Sequence, residues 1–404
     1  MRSILRTAVV VAASLLLVPQ FVAAADLDVE IQDMKQRLEA MESQIQAQSA
    51  ELTDARAMVA AQQVQIDQTE TLVTDERDAV SALSSFLEST DISGFVAAGW
   101  NWNDPNTGAS TDEFQFQQAW ITLNKAATAD SRAGFNLEFE MGSLATSSGN
   151  NANSTPGVYA ASVSYLAPLG NGLLVDAGIL ATALGAEVEA QNGNWQISRG
   201  YVFDLQPVTN TGVTATYGLT DNISVMVGAL NNAMARSTSV GASENVGMTA
   251  QVSYSQDKFG LNVGYNYGKG GFGGNYREGL LDVVATLDVS DNLSAWVNYD
   301  YRTQEATNGA ESSSQNGLAI AARLGVMDDT GISGRFEYVS ASDAAGADTG
   351  SAQTYTVTVD HALTSGLTGK VEYRYNDGVP NATSTAFTET SNDSSINVQL
   401  LYQF

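Results

Sequence analysis

Charged side chains on one long connecting segment and on the predicted strands that follow it are the candidates for chemistry in this chain. Four of them lie between Thr182 and Pro207: Glu187, Glu189, Arg199 and Asp204. Five basic residues occupy polar positions of later strands: Arg302, Arg323, Arg335, Lys370 and Arg374. Acids that face bases across water create a transverse field, which favours polar over apolar solutes and biases the sign of passing ions. For any single residue the alternative is equally open, namely that its charge is solvated or paired with a neighbouring acid.

Enzymatic chemistry finds little support among the other residues. The chain has no cysteine and a single histidine, His361, which excludes disulfides and thiolate metal sites and nearly excludes histidine-based catalysis. Glu138 and Glu140 are two positions apart in a predicted strand, so they share one face and are interpreted as lining it. The glycine-rich segment 269–274 is followed by no helix, unlike a phosphate-binding loop. We therefore predict no enzyme, no metal and no cofactor.

The composition limits the class of protein and of partner. The formal net charge of −27 argues against nucleic acid as a partner, because phosphates carry the same sign. The mean hydropathy of −0.10 gives the chain no bulk membrane-helix character. A transmembrane barrel places its apolar residues at alternate positions, so a neutral average is compatible with it.

The first 25 residues have the pattern of a secretory signal peptide. Arg2 and Arg6 form the basic start, an apolar run covers 8–18, and small residues occupy 23–25. The apolar run is too short to span a bilayer; a short anchor helix is the alternative. We predict a mature chain that begins at Asp26 and is exported to the bacterial envelope.

Residues 26–90 carry a heptad repeat. One apolar position recurs every seven residues from Ile31 to Leu87, while the second core position becomes polar in its middle, at Gln48 and Gln62. Both positions face the same side of an under-wound helix, so other helices must cover them. We predict a coiled coil; a single amphipathic helix packed on the following domain is the alternative.

Beyond Asp91 the period changes to two. Residues 135–141 alternate Phe, Leu, Phe and Met with Asn, Glu and Glu, and several other segments of about 10–12 residues repeat this pattern. The last strand, 395–404, has one exception, Leu401, at a polar position. In a membrane every strand edge must be paired, so we expect this strand to pair with the first one and close a barrel.

The connections between predicted strands alternate in length. Seven short and eight long connections give sixteen strands, an even number as in bacterial barrels. The third long connection, Thr182–Pro207, is the longest, and an extra strand at Asn194–Phe203 would spoil the even count. A barrel of sixteen strands is too wide for its side chains to fill, so it encloses a water-filled lumen. A soluble double sandwich is the alternative.

Three stretches carry a family resemblance: Gly94–Phe95, Phe116–Ala119 and Gly178–Gly212. The positions that follow the family pattern are Gly178, Gly185, Glu187, Ser198, Arg199, Phe203, Pro207 and Gly212. Over most of residues 92–404 the chain resembles the OmpL-like beta-barrel porins of outer membranes. It departs from them at Asn210–Thr211, where a histidine or an aromatic residue is commoner. The resemblance identifies a barrel and leaves the substrate open.

The resemblance implies an outer-membrane porin for passive diffusion of small hydrophilic solutes and ions, narrowed by its inward-folded third loop. The acidic excess predicts a weak preference for cations. The helical segment followed by a barrel is similar in arrangement to trimeric porins with periplasmic coiled coils, which implies a homotrimer in contact with outer-membrane lipid. The alternative is a structural protein in which the barrel is an anchor and the coiled coil tethers the outer membrane to peptidoglycan.

Overall fold

The computed structural model describes residues 24–105, 109–145, 156–235, 246–270, 276–306, 312–343, 345–380 and 387–404. The predicted signal peptide, residues 1–25, lies outside the described residues except for its last two positions, which belong to a helix. The chain divides into two compact units, residues 1–85 and residues 86–404.

Helix α1 runs from Ala24 to Glu88 over 65 residues. No proline or glycine interrupts the sequence between residues 26 and 90, so nothing breaks the backbone hydrogen bonds of the helix. The apolar heptad side chains are exposed along it; Ile45 is 64% exposed and Leu52 53% exposed. No helix within the described ranges is both long and apolar enough to cross a membrane.

Sixteen strands follow the helix. Their bounds are β1 Asp91–Pro105, β2 Thr111–Lys125, β3 Ala133–Met141, β4 Gly157–Ala167, β5 Leu173–Ala181, β6 Thr209–Gly218, β7 Ile223–Leu230, β8 Gly247–Gln256, β9 Phe259–Gly270, β10 Tyr276–Ser290, β11 Leu293–Ala306, β12 Ser312–Met327, β13 Thr330–Ser342, β14 Asp348–Thr364, β15 Leu367–Pro380 and β16 Phe387–Gln403. The strands contain 8 to 17 residues, a wider range than the sequence pattern predicts.

The strands form a closed antiparallel barrel in which each strand pairs with its neighbours in the sequence. β1 pairs with β16, for example Trp102 with Ile396 and Val96 with Tyr402. The predicted architecture, a sixteen-stranded antiparallel barrel preceded by a long helix, is therefore confirmed, and a double sandwich is excluded. Residues 194–203 add no strand.

The period of two follows from the two sides of the barrel wall. In β16, Leu400 and Tyr402 point outward and are each 51% exposed, whereas Gln399 points inward and is fully buried. The exception Leu401 also points inward, where it packs with Phe95 and Trp120 in a buried apolar cluster. An apolar residue at a polar position thus marks a place where the interior is packed with protein.

Candidate functional site

The connection between β5 and β6, which we call loop 182–208, contacts inward-facing residues of several strands and so lies inside the barrel. It contains two short 3-10 turns, Gln191–Gly193 and Phe203–Leu205. Val202 and Leu205 pack against Ala319 of β12 and Val339 of β13, on the side of the ring opposite to β5 and β6. The loop therefore crosses the interior and reaches the far wall.

Glu187 joins the loop to that far wall. Its carboxylate forms an ion pair with Arg335 of β13 and accepts a hydrogen bond of 2.8 Å from the backbone N–H of Gly200. Arg335 is itself buried, lies 3.2 Å from Glu337 and donates a 2.8 Å hydrogen bond to the carbonyl oxygen of Ser198. Burial raises the pKa of Glu187 above its ordinary range, although the guanidinium of Arg335 acts in the opposite direction.

Glu189 and Arg199 form an ion pair within the loop. Arg199 Nη2 lies 3.1 Å from Glu189 Oε1. The same guanidinium donates two hydrogen bonds of 3.0 Å to the carbonyl oxygen of Leu144 and lies 5.2 Å from the centre of the Phe203 ring. Because Leu144 follows β3, this contact also fixes the loop to the wall near its own side of the barrel.

Asp204 differs from the other loop acids because its side chain is exposed. It lines a cavity of about 490 Å³ together with Arg199, Tyr201 and Arg374. The carboxylate is open to water on one side while protein surrounds it on the others, and this burial raises its pKa to about 6. The guanidinium of Arg374 acts in the opposite direction but does not cancel the effect of burial.

The basic residues of the wall fall into two groups. Arg335, Lys370 and Arg374 bind the loop: Lys370 Nζ donates to the carbonyl oxygen of Asn194 at 2.6 Å, and Arg374 donates to that of Arg199 at 2.7 Å. Arg302 pairs with an acid of the adjacent strand β10, and Arg323 pairs with an acid of β14, which lies beyond β13. Arg302 lies 2.9 Å from Glu278, and Arg323 donates a 2.9 Å hydrogen bond to Asp360.

These pairs differ from the field expected from the sequence, in which acids on the loop face bases across open water. Glu187 and Arg335 are in direct contact because the loop is long enough to reach the far wall. Charges in contact largely cancel each other's field at a distance, and separated charges would be costly in a partly dehydrated interior. Of the four loop residues, Asp204 alone presents its charge to the cavity of about 490 Å³ without an ion pair among those described.

Sequence reasoning missed the acceptors on the wall that bind the backbone of the loop. Glu372 accepts hydrogen bonds from the N–H groups of Ile197 and Ser198 at 2.6 and 3.1 Å. Glu337 accepts one from Val202 at 3.1 Å. Both acids occupy inward positions of the period-two pattern, which places them in the lumen. Nothing in the sequence shows that the partner of each is a backbone N–H.

Comparisons with known proteins agree with this architecture. The profile of the family described as "Putative beta-barrel porin-2, OmpL-like" matches residues 89–404. The trimer form of OmpT, an outer membrane protein of Vibrio cholerae, has a TM-score of 0.55 at 14% identity over 78% of this chain and 99% of OmpT. The outer membrane channel DcaP of Acinetobacter baumannii has a TM-score of 0.56 at 10% identity over 78% of this chain and 97% of DcaP. OprB of Pseudomonas putida has a TM-score of 0.57 at 13% identity over 81% of this chain and 97% of OprB.

At these identities the solved structures show likeness of fold alone. A search of curated protein sequences found no match. The family profile covers the whole barrel, which is well over half of the chain. On this basis the chain belongs to the OmpL-like beta-barrel porins, a family of outer-membrane channels rather than of enzymes.

Proposed function

We propose that this protein is a porin through which small hydrophilic solutes and ions diffuse passively, and that loop 182–208 narrows its lumen. The observation that carries the proposal is a closed barrel whose longest connection crosses the interior and bonds to the opposite wall. A sixteen-stranded barrel holds water unless something fills it, so a loop in this position sets the width of the passage.

In this proposal the loop residues act in two ways. Glu187, Glu189 and Arg199 hold the loop in place together with Arg335, Lys370 and Arg374 of the wall. Asp204 presents a negative charge to the passing solution, in line with the weak cation preference expected from the acidic excess. Arg302 and Arg323 stabilise the wall through their own acidic partners.

We further propose that the protein is a homotrimer in the outer membrane and that α1 is a periplasmic coiled coil. Two observations support this: the apolar heptad positions are exposed in the single chain, and OmpT, which is similar in fold, is recorded in a trimer form. Both ends of the barrel lie on the side of the short turns, which in bacterial barrels is the periplasmic side.

Planar-bilayer recording tests the channel function. We expect purified protein in a lipid bilayer to give steady current steps that increase linearly with voltage, because an open aqueous passage has no gating charge to move. A correctly folded trimer that never conducts would contradict the porin proposal. That result would favour the alternative, in which the barrel anchors a coiled coil that binds peptidoglycan.

The titration of Asp204 gives the channel a predicted pH dependence. A pKa of about 6 means that this carboxylate is charged above that pH and neutral below it. Lowering the pH from about 7.5 to about 5 should therefore shift the reversal potential in a salt gradient towards anions, while ordinary carboxylates stay charged. The Asp204→Asn variant should lack most of this shift. Asp221→Asn, in an exposed short turn, is the matched control and should retain it; equal shifts in all three proteins would rule out Asp204 as the source.

A further inference from the structure

Charge is distributed unevenly around the barrel wall. The six strands β4–β9 contain only two charged residues, Asp176 and Lys269, and Lys269 is the second-last residue of β9. Most inward positions of these strands carry hydroxyls, carboxamides or glycine, and a few are apolar, such as Met226 and Leu230. Examples on paired strands are Ser162, Thr214, Thr216 and Asn266. The lone acid Asp176 accepts a 2.5 Å hydrogen bond from Ser164. This half of the wall, β4–β9, is called the neutral half below.

The opposite half carries the charges and is covered by the loop. Asp300, Glu337 and Glu372 on β11, β13 and β15 are fully buried although they point into the lumen, because loop 182–208 lies over them. On the neutral half the corresponding side chains of Ser162, Thr214 and Thr216 remain partly exposed. They line a cavity of about 220 Å³ between the loop and strands β3–β9, in which Asp176 is the one charged lining residue.

We propose that this barrel has, besides the opening that Asp204 lines, a second passage along the neutral half, and that this second passage favours uncharged polyhydroxylated solutes, such as small sugars and polyols, over ions. This inference depends on the porin function proposed above. Hydroxyl and carboxamide groups both donate and accept hydrogen bonds, so they replace the water around a sugar hydroxyl. An ion that loses part of its hydration beside uncharged groups gains too little in return. Met226 and Leu230 add apolar contacts to the same cavity, which suit the C–H faces of a sugar ring.

The absence of cysteine from the natural sequence allows a direct test of the route. Thr214→Cys and Thr216→Cys place a thiol on the neutral half, whereas Thr354→Cys places one on β14 under the loop, where the native side chain is fully buried. A small cationic methanethiosulfonate reagent added during single-channel recording should reduce the current of the first two variants by about half or more and leave the third unchanged. Ala321→Cys, also buried on the far wall, replaces Thr354→Cys should that variant not fold. Block at the buried positions with none at Thr214 or Thr216 would overturn the route.

Solute uptake tests the chemical class. In liposome swelling with the unmodified protein, a neutral pentose or hexose should enter at least about threefold faster than a sugar acid or an amino sugar of the same size. Conducting channels that pass the charged sugars as fast as the neutral ones would overturn the preference while the porin function stands. Protein that neither conducts nor permits swelling would overturn both, so the two failures are distinguishable.

Discussion

Replacing Arg335 by methionine is expected to free loop 182–208 from the far wall and to increase the conductance of the channel. Arg335 is 3% exposed and is the cation between two carboxylates, Glu187 of the loop and Glu337 of its own strand. Methionine fills a similar space but leaves two buried acids close together without a positive charge. Breaking a buried pair in this way costs about 3–5 kcal/mol, because the remaining charge keeps its desolvation penalty. The repulsion acts directly on the segment that crosses the lumen.

The measurement is single-channel conductance, with protease cleavage of the loop as a second readout. Arg302→Met is the matched control, since it also removes an arginine from a fully buried glutamate, Glu278, but both partners belong to the wall. The control should lose stability without a wider channel. If Arg335→Met keeps the native conductance and the native resistance to protease, the ion pair does not hold the loop. If the ion pair does hold the loop, adding Glu187→Leu to Arg335→Met should recover part of the lost stability, because one buried unpaired charge is removed.

The fold could be predicted because lipid and water impose a simple rule on every strand. Outward positions must be apolar and inward positions polar, so the period of two that begins at Asp91 gives the strands and their faces. Closure follows from the cost of an unpaired edge in a membrane, which requires β1 to pair with β16. Leu401 breaks the pattern for a local reason, because it packs in the same buried cluster as Phe95 inside the barrel. The alternation of apolar and polar residues does not predict such a contact.

The candidate site was less predictable, because it depends on which residues meet across the lumen. The sequence identifies Glu187 and Arg335 as inward or loop residues but does not show that they are in contact, since 148 positions separate them. It also cannot show that Glu372 binds backbone N–H groups, because the path of an irregular loop has no period. The charge-poor composition of β4–β9 is visible in the sequence. The sequence does not show that these strands line the open side of the lumen, because this depends on the loop covering the other half of the wall.

The contacts of helix α1 also depend on more than one chain, because its heptad repeat predicts partner helices that a single chain does not contain. Leu52 and Val59 are successive residues of the apolar core position, and both are more than half exposed. Burying an aliphatic side chain of this size contributes about 1.5–3 kcal/mol. Summed over the apolar core positions of a 65-residue helix, this free energy is sufficient to hold several helices together. An unpartnered helix would leave all of these side chains exposed to water.

Cysteine cross-linking should therefore join the helices of different chains at core positions and not at outer ones. Ala55 lies at the second core position of the heptad that begins with Leu52, and Ala57 lies on the outer face two residues later. Both variants are Ala→Cys in a chain without other cysteines, so the position of the thiol is the difference between them. A short bifunctional maleimide should link Ala55→Cys efficiently at low protein concentration and Ala57→Cys poorly.

The yield at completion also distinguishes a trimer from a dimer. Three thiols meet at one level of a parallel trimer, and the reagent joins two of them, so about two in three chains should enter the cross-linked band. In a dimer nearly all chains would enter it. Equal yields at Ala55 and Ala57 would contradict the heptad assignment, because an assembled coiled coil holds core positions together and outer positions apart. No link at either position would instead favour an unpartnered helix, in which case the trimer would have to be held by the barrel walls alone.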